Sequence, residues 1–173
     1  VNCEFRKPAA MVRAEDKMCL VDPSGYVLPG RYEEKALADC GFLEIRGATG
    51  TPPAVGLRWA NPDLQAGLDL VKLIDGREFT RQLRAVDVSN HRGRLNPLLP
   101  WIVLVTDRDT SIRWGLPPGK ERGLEIGADE KVALLMGIYR QHGHVDFGRS
   151  YVDVRRSAGE VDVSIASAKP QDE

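Results

Sequence analysis

Alternation with a period of two is the feature that most restricts the fold of this 173-residue chain. A continuous apolar run at residues 101–105 is predicted to be a strand, and apolar and polar side chains alternate in four further short runs, at residues 85–89, 111–114, 151–156 and 161–165. Such alternation is typical of β-strands that bury one face, because successive side chains point to opposite sides of a sheet. The last two runs flank Ala158 and Gly159, which predict a tight turn.

Two segments have helical signals instead. Asn61 before Pro62 and Asp63 has the pattern of an N-cap followed by a first helical turn, and apolar residues then recur at helical spacing up to Ile74. A second helix is predicted over residues 129–142. The order of elements indicates an α+β fold: a mostly antiparallel β-sheet with two main helices packed on one face, ending in a C-terminal β-hairpin.

Charge and hydropathy exclude several classes of protein. The 24 basic and 25 acidic residues nearly cancel, so no global field favours nucleic acid or an anionic membrane surface. The longest apolar run, residues 98–105, is interrupted by Pro100 and is far shorter than the ~20 residues of a transmembrane helix. Because the chain starts at Val1, we expect that an anchoring segment can precede it.

The three cysteines have no zinc-binding spacing. Cys3 and Cys19 lie in neighbouring predicted strands and could form a disulfide, which would leave Cys40 over. The alternative, which we favour, is that they are buried free thiols.

The last predicted strand, residues 161–165, precedes only a polar tail and is a candidate edge strand. Such an edge aggregates, is protected, or captures a strand from a partner. An ordinary terminal strand with a solvated edge is the commoner case, but we predict capture.

Three groups of residues together resemble one family. They are Arg6-Lys7-Pro8-Ala9-Ala10 with Leu20-Val21-Asp22-Pro23-Ser24-Gly25-Tyr26-Val27-Leu28, then Ile112-Arg113-Trp114-Gly115 followed by Lys131, and finally Tyr151-Val152-Asp153-Val154-Arg155. In this order and spacing they resemble the extracytoplasmic β-domain of the bacterial cell-division family FtsQ/DivIB. The resemblance covers nearly the whole chain.

The resemblance implies a non-enzymatic scaffold of the divisome. Members bind the FtsB/FtsL (DivIC/FtsL) coiled-coil pair, and so contribute to septum assembly and to control of septal peptidoglycan synthesis. They are bitopic proteins of the plasma membrane, with this domain on the extracytoplasmic, periplasmic side. By this resemblance residues 1–13 are the junction with an upstream POTRA domain, residues 14–168 the β-domain and residues 169–173 a polar tail. No cofactor, metal or nucleic acid is expected.

The same resemblance implies that a partner strand is added to the last strand of the domain. The corresponding partner-binding residues are Tyr151, Asp153, Arg156, Ala158, Gly159, Val161, Val163, Ser164 and Ile165. Family members favour Tyr and Trp near the positions that Arg156 and Ser164 occupy here. We therefore expect main-chain pairing, which does not depend on side chains, rather than aromatic anchors.

Two other functions stay open. His142, His144 and Asp146 have the H-x-H-x-D spacing of metallo-hydrolases, and with His91 they would form a zinc-dependent hydrolase site. The simpler interpretation is that histidines in a last helical turn interact with the helix dipole. The third alternative is another extracytoplasmic interaction domain.

Three further patterns have a structural and a functional interpretation. The tryptophans Trp59, Trp101 and Trp114 could stack on a ligand, but packing in the core or at its rim is the favoured interpretation. A basic group at 77–94 is either a solvated face or a contact for an acidic partner. Residues 115–120 resemble a phosphate loop only superficially, because prolines replace the amide donors it needs.

Overall fold

A computed structural model describes residues 5–14, 17–33, 40–156 and 163–165 of the chain. The described strands are β1 (Ala10–Ala14), β2 (Lys17–Val21), β3 (Leu43–Arg46), β4 (Leu83–Asp87), β5 (Ile102–Thr106), β6 (Ser111–Gly115), β7 (Arg149–Asp153) and β8 (Val163–Ile165). They form one eight-stranded sheet in the order β2-β1-β3-β4-β5-β6-β7-β8.

Both predicted helices are confirmed, as α1 (Pro62–Ile74) and α2 (Ala128–His142). The side chain of Asn61 accepts hydrogen bonds from the backbone amides of the first turn of α1, as an N-cap residue should. Gly143 ends α2 in the left-handed conformation, with φ of 73°. Short 3-10 helices cover Glu78–Gln82 and His91–Gly93.

The prediction of a mostly antiparallel sheet is wrong, because the sheet is mixed. Three of its seven pairings, β1 with β3, β3 with β4, and β6 with β7, are parallel. Helix α1 lies in the connection from β3 to β4, and α2 lies in the connection from β6 to β7. A helical connection of this length returns the chain to the end of the sheet where the previous strand began, so the two strands run in the same direction.

The helices and one face of the sheet enclose the main core. Alternate residues of successive strands point into it, including Ile45, Val86, Leu104, Ile112 and Val152, and they meet buried residues of both helices. The largest fully buried side chain is that of Trp114 on β6. The packing interpretation is therefore correct for this tryptophan and for Trp59, which is also buried.

The opposite face of the sheet is covered only in part. Near β1 and β2 a second apolar cluster forms from Met11, Met18, Leu20 and Leu28. Farther along, the same face has the half-buried residues Val103, Arg113 and Tyr151. The face is thus protected at the β2 end and more open toward β7.

The first described strand belongs to this sheet. Residues 10–13, which the resemblance assigns to the junction, form most of β1 and pair with β2 and β3. In β2 the Cys19 thiol is buried and donates a hydrogen bond to the carbonyl of Val12. Burial raises the pKa of this thiol, which disfavours the reactive thiolate.

Candidate functional site

The candidate partner-binding edge is the β7–β8 end of the sheet. Strand β8 pairs with β7 in antiparallel orientation, with Tyr151 opposite Ser164 and Val152 opposite Val163. The pairing shifts its register between Arg149 and Tyr151. Among the strands that the structure describes, β8 is the last in the sheet order.

Tyr151 and Asp153 are the two predicted site residues on β7, and both point away from the main core. The guanidinium of Arg113 on β6 lies 3.9 Å from the centre of the Tyr151 ring. Its Nη1 atom is also 4.0 Å from Oδ2 of Asp153. Neighbouring strands therefore fix an arginine between the aromatic ring and the carboxylate.

Asp153 is also held by the chain that follows it. The Nη2 and Nε atoms of Arg155 donate to the Asp153 carboxylate at 2.6 and 2.9 Å, and the backbone amide of Arg155 donates at 3.1 Å. This fork of hydrogen bonds fixes the direction in which the chain leaves β7.

The charge states of this cluster follow from its geometry. Burial by itself disfavours the carboxylate of Asp153, but the hydrogen bonds and charge of Arg155, with the charge of Arg113, outweigh it and lower the pKa of Asp153. The hydrogen bond to Asp153, against the opposing effect of burial, raises the pKa of Arg155. The cluster thus has two cations and one anion at neutral pH.

The remaining predicted residues are placed as follows. Arg156 is exposed just after β7. Strand β8 consists of Val163, Ser164 and Ile165. Ala158, Gly159 and Val161 lie outside the described residues, as does the turn predicted there.

The residues of the alternative zinc site have other partners. His144 approaches Gln82 through Nδ1 at 3.3 Å and Arg108 through Nε2 at 3.0 Å. The ring of His142 stacks on Phe147, with 5.1 Å between centroids. Within the described part of the chain no group of three or more His, Cys, Asp or Glu side chains could hold a metal ion.

Asp146 shares a contact to Arg108 with His144, at 3.8 Å between Nη1 and Oδ1, whereas His91 lies elsewhere. Asp146 is buried and accepts hydrogen bonds from Thr110 and from the backbone amide of Gly148. The Nδ1 atom of His91 is 2.8 Å from Oδ1 of Asp63, at the start of α1. The structure does not bring His91 together with His142, His144 and Asp146, the three residues that the sequence analysis combined with it.

The group around Asp63 is a polar site that the sequence did not predict. Its buried carboxylate contacts His91, the hydroxyl of Thr49 at 2.7 Å and the guanidinium of Arg94. Burial opposes ionisation, but these hydrogen bonds outweigh it and lower the pKa of Asp63 to about 2. Since Asp63 and His91 are 28 positions apart, no local sequence pattern could have indicated their contact.

Neither described helix has the length and apolarity needed to cross a lipid bilayer. No protein-family model matches the chain, and no curated protein matches it.

Proposed function

We propose that this chain is the extracytoplasmic scaffold domain of an FtsQ/DivIB-type division protein. In this proposal it binds an FtsB/FtsL (DivIC/FtsL)-type coiled-coil complex by adding a partner strand to β8. It contributes to septum assembly and to control of septal peptidoglycan synthesis without catalysing a reaction, on the outer side of the plasma membrane. The sequence resemblance supports the family, and the position of β8 supports the mode of binding.

The position of β8 as the last of the described strands in the sheet is the observation that carries the proposal. A strand at the end of a sheet has main-chain donors and acceptors on its outer side that no neighbouring strand uses. An extended segment of a partner satisfies these groups by continuing the sheet. Affinity then comes mainly from backbone hydrogen bonds, which tolerate Arg156 and Ser164 where the family favours aromatic residues.

Protection of the opposite end of the sheet favours the β8 end as the binding edge. At that opposite end, β2 is bridged by the chain that follows it, with Val21 opposite Val27 and Met18 opposite Tyr32. The amide and carbonyl of Met18 both bond to Tyr32, at 2.8 and 2.9 Å. Edge strands protected in this manner resist pairing with other chains.

Charge next to β8 also favours a particular kind of partner. Arg113 and Arg155 leave a surplus of one positive charge after Asp153 is neutralised, and the exposed Arg156 adds another. Complementary charge steers association and fixes the register of a docked strand. We therefore expect acidic residues beside the partner's added strand.

Truncation tests the proposal. Three forms, residues 1–173, 1–168 and 1–159, are compared for capture of the host's FtsB/DivIC-like protein, with folding checked by circular dichroism. We expect the 1–168 form, which lacks only the polar tail, to bind like the full chain and the 1–159 form to fold without binding. Equal binding by a folded 1–159 form would show that β8 is not the binding edge.

A substitution within the strand provides a second test in the full-length chain. Ser164→Pro removes a backbone donor from β8 and disfavours an extended ladder at that position. We expect loss of partner capture with the thermal unfolding midpoint of the domain nearly unchanged. Unaltered capture by this variant would contradict strand addition at β8.

A further inference from the structure

A pocket of about 480 Å³ lies between the start of α1 and the loop that follows β6. Pro62 and Ala66 of α1 form one side, and Pro117 and Pro118 form the other. The ring of Trp101, which is half-buried, belongs to the same lining. These groups give the pocket a flat, largely apolar wall, of the kind that most small-molecule sites have.

The rim of this pocket is positively charged. It has three cationic side chains, those of Arg92, Lys120 and Arg122, and one carboxylate, that of Asp69. Asp69 accepts a hydrogen bond from Gln65 at 2.8 Å. None of the three cations forms an ion pair with a residue that the structure describes, whereas Arg122 lies 5.6 Å from the centre of the Trp101 ring. All three cationic side chains therefore attract an anion that enters the pocket.

A buried imidazole has one ring nitrogen left for a ligand in the pocket. The side chain of His91 is 8% exposed and its Nδ1 atom is bonded to Asp63. Because the carboxylate of Asp63 is ionised at neutral pH, it can only accept, so Nδ1 carries the hydrogen. Nε2 is then the remaining ring nitrogen, and it has no hydrogen bond to any residue in the described part of the chain. His91 lines the pocket.

The backbone next to His91 is strained. Arg92 has φ of 62° and ψ of 16°, a left-handed conformation that costs a non-glycine residue roughly 1 kcal/mol or more. It is held there because His91 on one side is fixed by Asp63, and Arg94 on the other donates to the carbonyl of Ser89 at 2.6 Å. This left-handed conformation places the Arg92 side chain at the rim of the pocket, beside the His91 imidazole.

We propose that this pocket binds a small aromatic oxyanion that carries a hydroxyl group. Its phosphate or carboxylate faces Arg92, Lys120 and Arg122, and its ring packs against Trp101 and the prolines. Its hydroxyl, which can donate or accept, forms a hydrogen bond with Nε2 of His91. This site is independent of the proposed partner-binding edge.

Titration of the full-length chain, followed by two-dimensional ¹H–¹⁵N NMR, tests the proposal. The probes are 4-hydroxybenzoate and 4-hydroxyphenyl phosphate, with benzoate and phenyl phosphate as partners lacking the hydroxyl. We expect saturable shifts of the Trp101 indole and of residues 91–93, and weaker binding of each probe without the hydroxyl. The two pairs of probes distinguish a carboxylate ligand from a phosphate ligand.

The double variant Lys120→Gln/Arg122→Gln changes only exposed side chains, so its fold should be intact. We expect it to lower the affinity about tenfold, as loss of two charge-assisted contacts should. The control Arg140→Gln removes an exposed cation from α2 and should leave the affinity within about twofold. No saturation by any probe, or equal affinities for the double variant and the control, would overturn the site. Equal affinities with and without the hydroxyl would overturn the role of His91.

Discussion

The Nζ atom of Lys131 lies 2.5 Å from Oε1 of Glu125, and the lysine side chain is completely buried. The same carboxylate oxygen accepts the backbone amide of Leu116 at 2.8 Å. The Trp114 ring lies 4.8 Å from Nζ, and Glu121 lies 4.0 Å away. One ion pair thus closes the long loop between β6 and α2.

Removing one member of this pair should destabilise the fold strongly. Glu125→Ala leaves the Lys131 ammonium buried with only the more distant Glu121, at an expected cost of about 3 kcal/mol in the free energy of unfolding. Urea denaturation followed by circular dichroism measures the loss. The triple variant Glu121→Gln/Glu125→Leu/Lys131→Met, which removes all three charges, should be more stable than Glu125→Ala. The opposite ranking would show that leaving the Lys131 ammonium without Glu125 does not account for the lost free energy of unfolding.

Two helical glycines should respond in opposite ways to the same substitution. A Cβ at Gly67 of α1 would come within 2.9 Å of Ile45 on β3, so Gly67→Ala should destabilise the fold by about 1–3 kcal/mol. Gly137 of α2 has nothing within 4 Å of that position, so Gly137→Ala should stabilise it by up to about 1 kcal/mol. Thermal unfolding of the two variants provides the measurement, and shifts of the same sign would contradict the predicted helix packing.

Acid should weaken the fold through Asp63. Its pKa is lowered from the ordinary value of 3.8 to about 2, so the unfolded chain takes up its proton at a higher pH than the folded chain does. The stabilisation is fully present above about pH 4 and is lost as the pH falls through about 2, with a total of about 2 kcal/mol. Urea unfolding at a series of pH values should show this decline. Asp63→Asn should flatten that part of the profile, and an unchanged slope would exclude Asp63 as its source.

Asn90 should control the order of the leucine-rich loop before β5. Its buried side chain donates to the carbonyls of Asn96, Leu99 and Pro100, and accepts the amides of Leu95 and Asn96. Asn90→Ala should cost about 2–3 kcal/mol and speed amide exchange at Leu95 and Asn96. Asn96→Ala, which loses a hydrogen bond to the amide of Leu98, is the matched control and should cost less than about 1 kcal/mol. Comparable costs would refute the assignment.

The helices could be predicted because their signals are local. Asn61 and Pro62 mark the start of α1, and Gly143 marks the end of α2, through backbone preferences that act within a few residues. Strand alternation likewise indicates which side chains are buried. It contains no information on the direction of the neighbouring strand, and this is why the parallel pairing of β6 with β7 was missed.

The candidate sites also differ in whether a local sequence pattern indicates their residues. Tyr151 and Asp153 could be proposed because they belong to a continuous strand pattern. Their fixation by Arg113 depends on the β6–β7 pairing, which no local signal indicates. The pocket beside His91 was beyond prediction, because its lining is brought together from α1, from Trp101 and from the loop after β6. The left-handed backbone of Arg92 also has no signal in the sequence, since the residue is not glycine.

The order of strands has a mechanical consequence. A tension applied between β1 and β8 crosses every intervening ladder of the sheet in turn, so each ladder bears the whole load rather than a share of it. Four of the six ladders between β1 and β8 have only three partner pairs each, namely β1–β3, β3–β4, β6–β7 and β7–β8, whereas β4–β5 and β5–β6 have four each. Under such a load, one of these four short ladders would separate before the two longer, central ones. In such a linkage the weakest row of hydrogen bonds determines the force that the molecule transmits.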